Sequence, residues 1–411
     1  MAVPSRDRDL RTGTPLWLAG GEPRRRPRRP PRRPPAGLRV DVAIVGGGIS
    51  GALAADALLQ AGKSVAVLDR RGFVLGSTAA STALVQFELD LPLAHLARRI
   101  GFDRAARVWW RSAQAVGALA GRIQDLGIDC GFASRHTAYL PGNVLDMAGL
   151  RHEAAARERI GLRSRLMLRE ELRREARIDK AGAIWSAGNA ELDPVRLVRG
   201  LWRAAEAREA GLFAPVDVVD VDCGRRGVTL TTDAGTSVRA GHVVLATGYE
   251  LAPFLRPKGY QVISTWALAT RPQKRALWPS RCLIWQAADP YLYLRTTQDG
   301  RVIAGGEDEE FADAATRDRL IPRKIAAVRR KLARLMPDLD TLPEFQWAGC
   351  FGASGSSMPA IGPVPGMPRC FAVLGYGGNG ITFSVIAAQL VRAAILGIAD
   401  PDAGLFSLDG P

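Results

Sequence analysis

The chain has 411 residues, of which 47% are hydrophobic and 24% are charged, and its formal net charge is +15. This composition is that of a globular protein, so it excludes a disordered chain, a collagen and a coiled coil. At about 100–200 residues per domain, the length predicts two or three domains. No apolar run reaches about 18 residues, and the arginine-rich start lacks the apolar core of a secretory signal. We therefore expect neither a transmembrane helix nor secretion.

Residues 1–38 form a leader rich in arginine and proline, which we predict to be disordered. Residues 1–40 hold eleven arginines against three acidic residues, and prolines interrupt the arginine run and prevent a helix. One interpretation of this charge is an anionic partner, either nucleic acid or a membrane surface. We favour a solvated, proline-stiffened segment, because no aromatic residue alternates with these arginines to stack on bases.

Five cysteines are spread along the chain without a Cys-x-x-Cys pair, namely Cys130, Cys223, Cys282, Cys350 and Cys370. An odd number with this spacing predicts neither a disulfide framework nor a zinc site. The usage fits a reducing compartment, so we expect a cytoplasmic protein that binds no metal.

The first predicted elements form a βαβ unit. A short apolar strand over 40–45 precedes a helix over 49–61 and a second buried strand over 64–69. Asp69 ends the second strand, where a carboxylate accepts both ribose hydroxyls of a dinucleotide and repels a 2′-phosphate. This position favours FAD or NAD over NADP.

A glycine motif, Gly46-x-Gly48-x-x-Gly51, joins the first strand to the helix and includes Ile49 and Ser50. Gly46 allows the tight turn, and Gly48 lets the backbone approach a pyrophosphate. Gly51 lets the helix and strand pack closely, while the helix N-terminus faces the phosphates. The motif predicts a dinucleotide site and does not distinguish FAD from NAD.

Further along the chain, periodicity and turn residues predict blocks of helices and strands. Helices are predicted over 104–126, 146–176, 194–210, 316–335 and 382–396, and strands over 212–222, 227–232, 236–246 and within 260–305. The two ends of the chain fit one nucleotide-binding domain, and the middle fits a sheet-based insertion. We therefore predict an α/β protein in which a discontinuous Rossmann-like domain carries an inserted α+β domain.

Three separated segments, 76–83, 212–248 and 374–384, resemble the glycine/D-amino-acid oxidase (DAO) family of FAD-dependent oxidoreductases. The resemblance extends from about Val40 to about Gly397 and implies that the cofactor is FAD. In that family the first segment wraps the flavin, the second contacts the adenine end and the third lies at the pyrimidine edge of the flavin. The implied domains are FAD-binding over 39–90, 190–255 and 345–411, and substrate-binding over 91–189 and 256–344.

The motifs and the resemblance together imply a set of FAD-binding residues. They are Gly46, Gly48, Ile49, Ser50, Gly51, Asp69, Arg70, Gly76, Ser77, Thr78, Thr82, Ala83, Val216, Ala246, Thr247, Gly248, Gly375, Gly377, Gly378, Asn379, Gly380, Ile381 and Thr382.

A hairpin of the substrate domain carries Tyr291, Tyr293 and Arg295, which alternate along one strand and therefore share one face. In the family this hairpin lies over the flavin, so these residues are candidates for substrate binding. The alternative is an ordinary strand with one polar face.

The chain departs from the relatives that oxidise small N-methyl amino acids. Those enzymes hold the substrate carboxylate with an arginine and a lysine, and the matching positions here are Gln86 and Thr382. Either Arg295 replaces the missing cations, or the substrate has no carboxylate at that spot. The lysine that assists oxygen in those oxidases is also missing from 302–305, which leaves an oxidase and a dehydrogenase open.

Two further positions stay open. Some relatives attach FAD covalently through a cysteine near Cys350, although the register here is off by about one residue. His95 and His136 are candidate bases, but a lone histidine is more often structural, so no catalytic residue is assigned.

The resemblance implies oxidation of a carbon–nitrogen bond of an amine or amino acid, by hydride transfer to flavin N5. The expected partners are this small molecule and either oxygen or another electron acceptor. Alternative hypotheses are a flavoenzyme acting on a modified tRNA base and a non-catalytic flavin-binding protein.

Overall fold

The computed structural model describes residues 10–19, 32–252, 254–255, 259–355, 357–408 and 410. The strands are β1 (Arg11–Gly13), β2 (Arg39–Val45), β3 (Val65–Leu68), β4 (Leu84–Val85), β5 (Ala133–Leu140), β6 (Ser164–Leu168), β7 (Gly182–Glu191), β8 (Gly211–Phe213), β9 (Val218–Gly224), β10 (Gly227–Thr232), β11 (Ser237–Leu245), β12 (Gln261–Thr270), β13 (Leu283–Gln286), β14 (Leu292–Thr296), β15 (Val302–Glu309), β16 (Pro343–Ala353), β17 (Ala360–Pro363) and β18 (Cys370–Leu374). The helices are α1 (Leu16–Ala19), α2 (Ile49–Gln60), α3 (Leu93–Ile100), α4 (Phe102–Asp125), α5 (Met147–Arg159), α6 (Arg169–Ala176), α7 (Pro194–Glu206), α8 (Ala314–Arg319), α9 (Ile321–Leu335) and α10 (Gly380–Ile395).

The smaller sheet has the strand order β17-β18-β11-β2-β3-β8, with the β9–β10 hairpin extending from β11. The strands from β18 to β8 are parallel, and β17 is antiparallel to β18. Buried parallel strands need apolar residues on both faces, which is why β3 reads Val-Ala-Val-Leu without alternation. This sheet and helix α2 form the predicted Rossmann-like unit.

The larger sheet has the order β1-β16-β12-β15-β14-β13-β5-β7-β4, with β6 paired to β7. Most of its pairs are antiparallel, and β5 runs parallel to β13. Helix α9 packs on β12, β14, β15 and β16 through a stripe of buried apolar residues that includes Ile325, Val328 and Leu332. The second predicted sheet is therefore present beside the first.

Helices α10 and α7 both pack near the glycine motif and support it. Helix α10 lies between α2, α4 and β17, and every residue from Ile381 to Ala388 is buried, so this part of its sequence is largely apolar on all sides. Helix α7 begins as its sequence predicts, because Asp193 accepts hydrogen bonds from the amides of Val195 and Arg196 at 2.8 and 3.0 Å. Trp202 on α7 donates to the Gly47 carbonyl at 3.2 Å and so fixes the glycine motif from behind.

Several predicted boundaries are wrong. The helix predicted over 146–176 is interrupted by β6, and the one over 316–335 breaks at Leu320. The strand predicted over 212–222 splits into β8 and β9, since Pro215 offers no amide hydrogen to the ladder. The two longest helices predicted near the site, by contrast, match α2 and α10 closely.

The leader is ordered where the structure describes it. Strand β1 pairs Arg11 with Gly349 on β16, and Leu10 is buried. The expectation that ordered structure starts at Val40 is therefore wrong for residues 10–19, because these residues bring apolar side chains to the edge of the larger sheet. The predicted disorder of residues 1–9 and 20–31 lies outside the described residues.

The predicted domain limits stay a prediction, with differences in the first and last segments. Strands β4 and β16 belong to the larger sheet, whereas the sequence placed residues 39–90 and 345–411 with the FAD-binding domain. The described part of the chain contains no disulfide. None of its helices combines the length and apolar character needed to cross a bilayer.

Candidate functional site

A cavity of about 520 Å³ receives wall residues from both sheets and from the leader. One end is walled by the glycine motif, Asp69 and Val216, and the other by Tyr291 and Tyr293. Of the predicted FAD-binding residues, all line the cavity except Gly51, Gly375 and Thr382. Most of the predicted dinucleotide residues therefore share one space with Gln86, Tyr291 and Tyr293.

The glycine motif leaves its cavity side open. Gly46 has φ +117°, and a Cβ there would lie 2.2 Å from the Ala246 carbonyl oxygen. A Cβ on Gly51 would lie 2.0 Å from the Gly46 oxygen, which accounts for its position behind the wall. A Cβ on Gly48 meets only the Thr78 hydroxyl, at 3.2 Å, so it would project toward the cavity. These contacts account for the turn at Gly46 and the close packing at Gly51, and they leave space beside Gly48, where the approach of a pyrophosphate stays a prediction.

Asp69 is held by backbone amides at the end of β3. Its carboxylate accepts hydrogen bonds from Gly47 at 2.7 Å, Arg71 at 2.8 Å and Gly72 at 2.7 Å. These bonds fix the carboxylate on the cavity wall, where a ribose diol can donate to it. Next to it, Arg70 and Arg71 both pair with Glu250, which balances one of their two positive charges.

The third motif connects β18 to α10 and is tied to the segment after β4. The Gly378 amide donates to Asp90 at 2.9 Å, and the Asn379 side chain donates to the Glu88 carbonyl at 2.7 Å. Thr382 is turned away from the cavity because its hydroxyl donates to the Gln86 carbonyl at 2.7 Å. The N-terminus of α10 therefore opens on the cavity, with a positive partial charge.

At the far end of the cavity the walls are aromatic and polar. The rings of Tyr291 and Tyr293 lie 5.6 Å apart, and Trp285 lines the same space. Burial raises the pKa of both tyrosines, so they stay protonated near neutral pH. Gln86 is 9% exposed, lines the cavity and has an amide nitrogen with no hydrogen-bond partner.

Two acidic residues accompany this end of the cavity. Asp90 lies on the wall, and its side chain is exposed to the open space of the cavity. Asp308 lies next to the hydroxyls of Thr265 and Tyr291, and burial raises its pKa to about 6. Neither residue belongs to a recognisable motif, so sequence reasoning did not find them.

Arg295 is not at the cavity, which corrects the prediction that it binds substrate. Its side chain is buried, donates to the carbonyls of Thr82 and Leu192 at 2.7 and 2.8 Å, and pairs with Glu191 at 3.3 Å. Arg295 lies on the same strand face as the two tyrosines but beyond the edge of the cavity. There the carbonyl oxygens of Thr82 and Leu192 hold its side chain. Because Arg295 does not reach the cavity, it does not replace the arginine and lysine that hold a substrate carboxylate in the relatives.

The remaining candidate residues are Cys350, His136 and His95. The Cys350 thiol lies on the wall, 3.4 Å from the Leu10 carbonyl oxygen. His136 stacks on Trp185 with ring centroids 5.0 Å apart, and neither His136 nor His95 lines the cavity. Covalent attachment through Cys350 stays a hypothesis. Within the described ranges, no group of three or more His, Cys, Asp or Glu is arranged to hold a metal ion.

The wall fits a dinucleotide with a planar ring system. Gly48 leaves space where a side chain would stand, and two buried polar atoms on the wall, Thr247 Oγ1 and Gln86 Nε2, have no partner in the described protein. Buried polar atoms are rarely left unsatisfied, so both are suited to a bound group.

Comparison with known proteins supports this arrangement. The family model for the DAO FAD-dependent oxidoreductases matches residues 41–394. The chain is 22% identical to the probable oxidoreductase OrdL of Haemophilus influenzae, over 87% of this chain and 83% of the relative. It is 26% identical to the gamma-glutamylputrescine oxidoreductase of Escherichia coli, over 88% and 84% respectively.

Solved structures share the fold. The glycine oxidase of Geobacillus kaustophilus superposes with a TM-score of 0.76 at 22% identity, covering 90% of this chain and 98% of that one. The L-proline dehydrogenase of P. horikoshii has the same TM-score at 18% identity, covering 91% and 98%. At these identities the likeness concerns the fold.

Proposed function

The chain belongs to the DAO family of FAD-dependent oxidoreductases, and from this premise we propose that it oxidises a carbon–nitrogen bond of a small amine or amino acid by hydride transfer to flavin N5. The observation that carries the proposal is the single cavity that joins the glycine motif to the wall of Tyr291, Tyr293 and Gln86. When bound, FAD supplies the hydride acceptor, and the protein supplies binding and orientation.

We assign FAD binding to the predicted residues on the wall. The glycine motif and the N-terminus of α2 would hold the phosphates, and Asp69 the ribose hydroxyls. The segments Gly76–Ala83 and Gly377–Ile381 would enclose the flavin. Gly51, Gly375 and Thr382 support this site from behind the wall.

The aromatic end of the cavity would position the substrate and exclude water. An amine must lose its proton before its carbon can give up a hydride, and an apolar wall favours the neutral amine by desolvation. The oxidised product is an imine, which water hydrolyses to a carbonyl compound and a free amine. The names of the glycine oxidase and gamma-glutamylputrescine oxidoreductase relatives support an amine or amino acid as substrate.

The electron acceptor is oxygen or another oxidant. The hairpin of β14 and β15 has no lysine over 302–305, which favours an acceptor other than oxygen. Stopped-flow reoxidation of the reduced protein by air measures this directly, and we expect it to be slow.

The absorption spectrum of the purified protein, followed by anaerobic titration with amines and amino acids, tests the proposed function. We expect flavin bands that one class of substrate bleaches. Flavin bands that no amine or amino acid bleaches would contradict the proposal and favour a modified tRNA base or a binding role. A protein that neither contains nor takes up FAD would contradict the assigned site.

A further inference from the structure

Residues 10–19 lie against the cavity, and we call them the leader strap. The family model begins its match at residue 41, so the strap lies outside the part of the chain that this model describes. Leu10 nevertheless lines the cavity together with the glycine motif. A ligand in this cavity therefore meets a wall to which a segment from outside the family match contributes.

The first residue of the strap joins two parts of the wall. The Leu10 side chain is 6% exposed, and its Cδ1 lies 4.0 Å from the point where a Cβ on Gly76 would stand. The Leu10 carbonyl accepts a hydrogen bond from the Cys350 amide at 3.2 Å. Gly76 and Cys350 both line the cavity, so Leu10 bridges two wall segments that are distant in the sequence.

The other end of the strap holds the segment 76–83, which we assign to enclosing the flavin. Trp17 donates to the carbonyl of Ser81 at 2.6 Å, and Ser81 lines the cavity. Trp347 on β16, the strand that pairs with the strap, donates to the carbonyl of Ala80 at 2.8 Å. All side chains of the segment are small, so these bonds to its backbone limit how far it can move.

The strap is attached to the rest of the protein through a short edge strand. Strand β1 forms three residue pairs with β16 at the edge of the larger sheet. The buried guanidinium of Arg317 adds a hydrogen bond to the Thr12 hydroxyl at 2.7 Å. Short elements at an edge open at a lower free energy than the core, so the strap can separate from β16 while the larger sheet stays folded.

We propose that the leader strap retains FAD: docked on β16 it completes the cavity, and FAD enters and leaves when the strap separates. This inference rests on the FAD site assigned above and is independent of the substrate. A ligand that binds only to the docked form also holds the strap in place, because coupling between two binding events is reciprocal. Leu10 is a binding residue in this scheme, and the rest of the strap positions it.

Hydrogen exchange of the full chain tests this coupling without a variant. We expect FAD to slow amide exchange in the strap by about tenfold or more. Thr14 is a suitable probe, because its amide donates to the Gln346 carbonyl at 3.0 Å. Strand β6 is the matched control, since it pairs with β7 in the same sheet and lies off the cavity wall. Unchanged exchange in the strap, or equal slowing in β6, would overturn the proposal.

Gly13→Ala loosens the strap without changing the cavity wall. Gly13 has φ +83°, and a Cβ there would lie 2.5 Å from the Gln346 carbonyl oxygen, so alanine must displace β1 from β16. We expect FAD to leave the diluted protein about tenfold faster or more, measured by the rise in flavin fluorescence. Gly37→Ala is the matched control, because Gly37 has a similar φ of +72° and a Cβ there meets nothing within 4 Å.

Leu10→Ala tests the side chain on the wall. It keeps the backbone pairing of β1 and removes apolar contact area, so we expect FAD release to be about fivefold faster. Leu339→Ala is the matched control, because Leu339 is also 6% exposed and lies off the wall. Unchanged release in both strap variants would overturn the proposal, as would equally fast release in the two controls.

Gly48→Ala separates this proposal from the assigned FAD site. If Gly48→Ala weakens FAD binding while both strap variants release FAD at the unaltered rate, the strap is overturned and the site stands. If FAD binding and release are unchanged in all three variants, the assigned site is contradicted and the strap with it. Faster release in the strap variants, together with weaker binding in Gly48→Ala, supports both.

Discussion

Gly48 shows how one missing side chain makes room for a ligand. A Cβ at this position would meet only the Thr78 hydroxyl, at 3.2 Å, and the backbone has an ordinary φ of −82°. Gly48→Ala should lower the unfolding free energy of the apoprotein by only about 1 kcal/mol, because Gly48 is the N-cap of α2 and the Thr78 hydroxyl must move slightly to admit a methyl group. The added methyl stands where a phosphate would approach, so we expect FAD to bind at least about tenfold more weakly. Urea unfolding and FAD titration measure the two effects.

The matched control for this substitution is Gly117→Ala. Gly117 lies within α4, and a Cβ there has no neighbour within 4 Å. Alanine should stabilise the helix by about 0.5–1 kcal/mol and leave FAD binding unchanged. Equal FAD affinity in the Gly48 variant and this control would show that the phosphates do not lie on the glycine motif.

Asp308 makes stability depend on pH. Burial raises its pKa from 3.8 to about 6, so the folded protein favours the neutral carboxyl. The stabilisation that this gives is present below pH 4 and is lost as the pH rises through 6, to the extent of about 3 kcal/mol at most. We expect Asp308→Asn to gain stability relative to the unaltered protein between pH 5 and pH 7.5.

Chemical denaturation of the protein without amine, at several pH values, checks this prediction. Asp338→Asn is the control for the loss of one carboxylate, since Asp338 is exposed. A stability difference between Asp308→Asn and the unaltered protein that stays constant over this pH range would show that the Asp308 carboxyl ionises in an ordinary environment.

At the scale of elements, residues 10–19 of the leader pack on the larger sheet, to which β1 contributes an edge strand. Trp17 on α1 donates to the Ser81 carbonyl at 2.6 Å, and its ring covers the Arg295 guanidinium at 5.0 Å. Trp17→Ala removes both contacts and should lower the unfolding free energy by about 2 kcal/mol. Denaturant titration measures this change.

Trp110→Ala provides the comparison for Trp17. Trp110 also donates to a carbonyl, that of Ile160 at 2.7 Å, but it is 41% exposed and distant from the cavity. We expect less than half of the Trp17 effect. If Trp17→Ala left stability unaltered, the leader segment would not belong to the folded unit.

Elements with local signals could be predicted from the sequence. Helix α7 has Asp193 as its cap and Pro194 at its first turn, β3 is a continuous apolar run, and β2 ends in the apolar run 42–45. Strand β1 could not be predicted, because its three residues are polar or small and are held by β16 far along the chain. A strand that forms only by pairing with a distant segment has no recognisable pattern in its own sequence.

At the scale of the whole molecule, the cofactor side of the cavity was predictable and the substrate side was only partly so. Glycine spacing and Asp69 are dictated by backbone geometry that any dinucleotide requires. The positions of Asp90 and Asp308 depend on how two sheets meet, which no spacing reveals. Strand alternation placed Arg295 with the tyrosines, but the limit of the cavity along that strand is a tertiary property.

The residues that line the cavity are spread over most of the chain, so they are synthesised at different times. During synthesis the glycine motif at Gly46–Gly51 leaves the ribosome early, whereas Gly377–Ile381 and α10 emerge only after both sheets have their other strands. The cavity therefore closes late, and cofactor capture follows the completion of nearly the whole chain. We therefore expect FAD to stabilise the protein only once nearly all of the chain has been made, because a ligand stabilises the folded state that binds it.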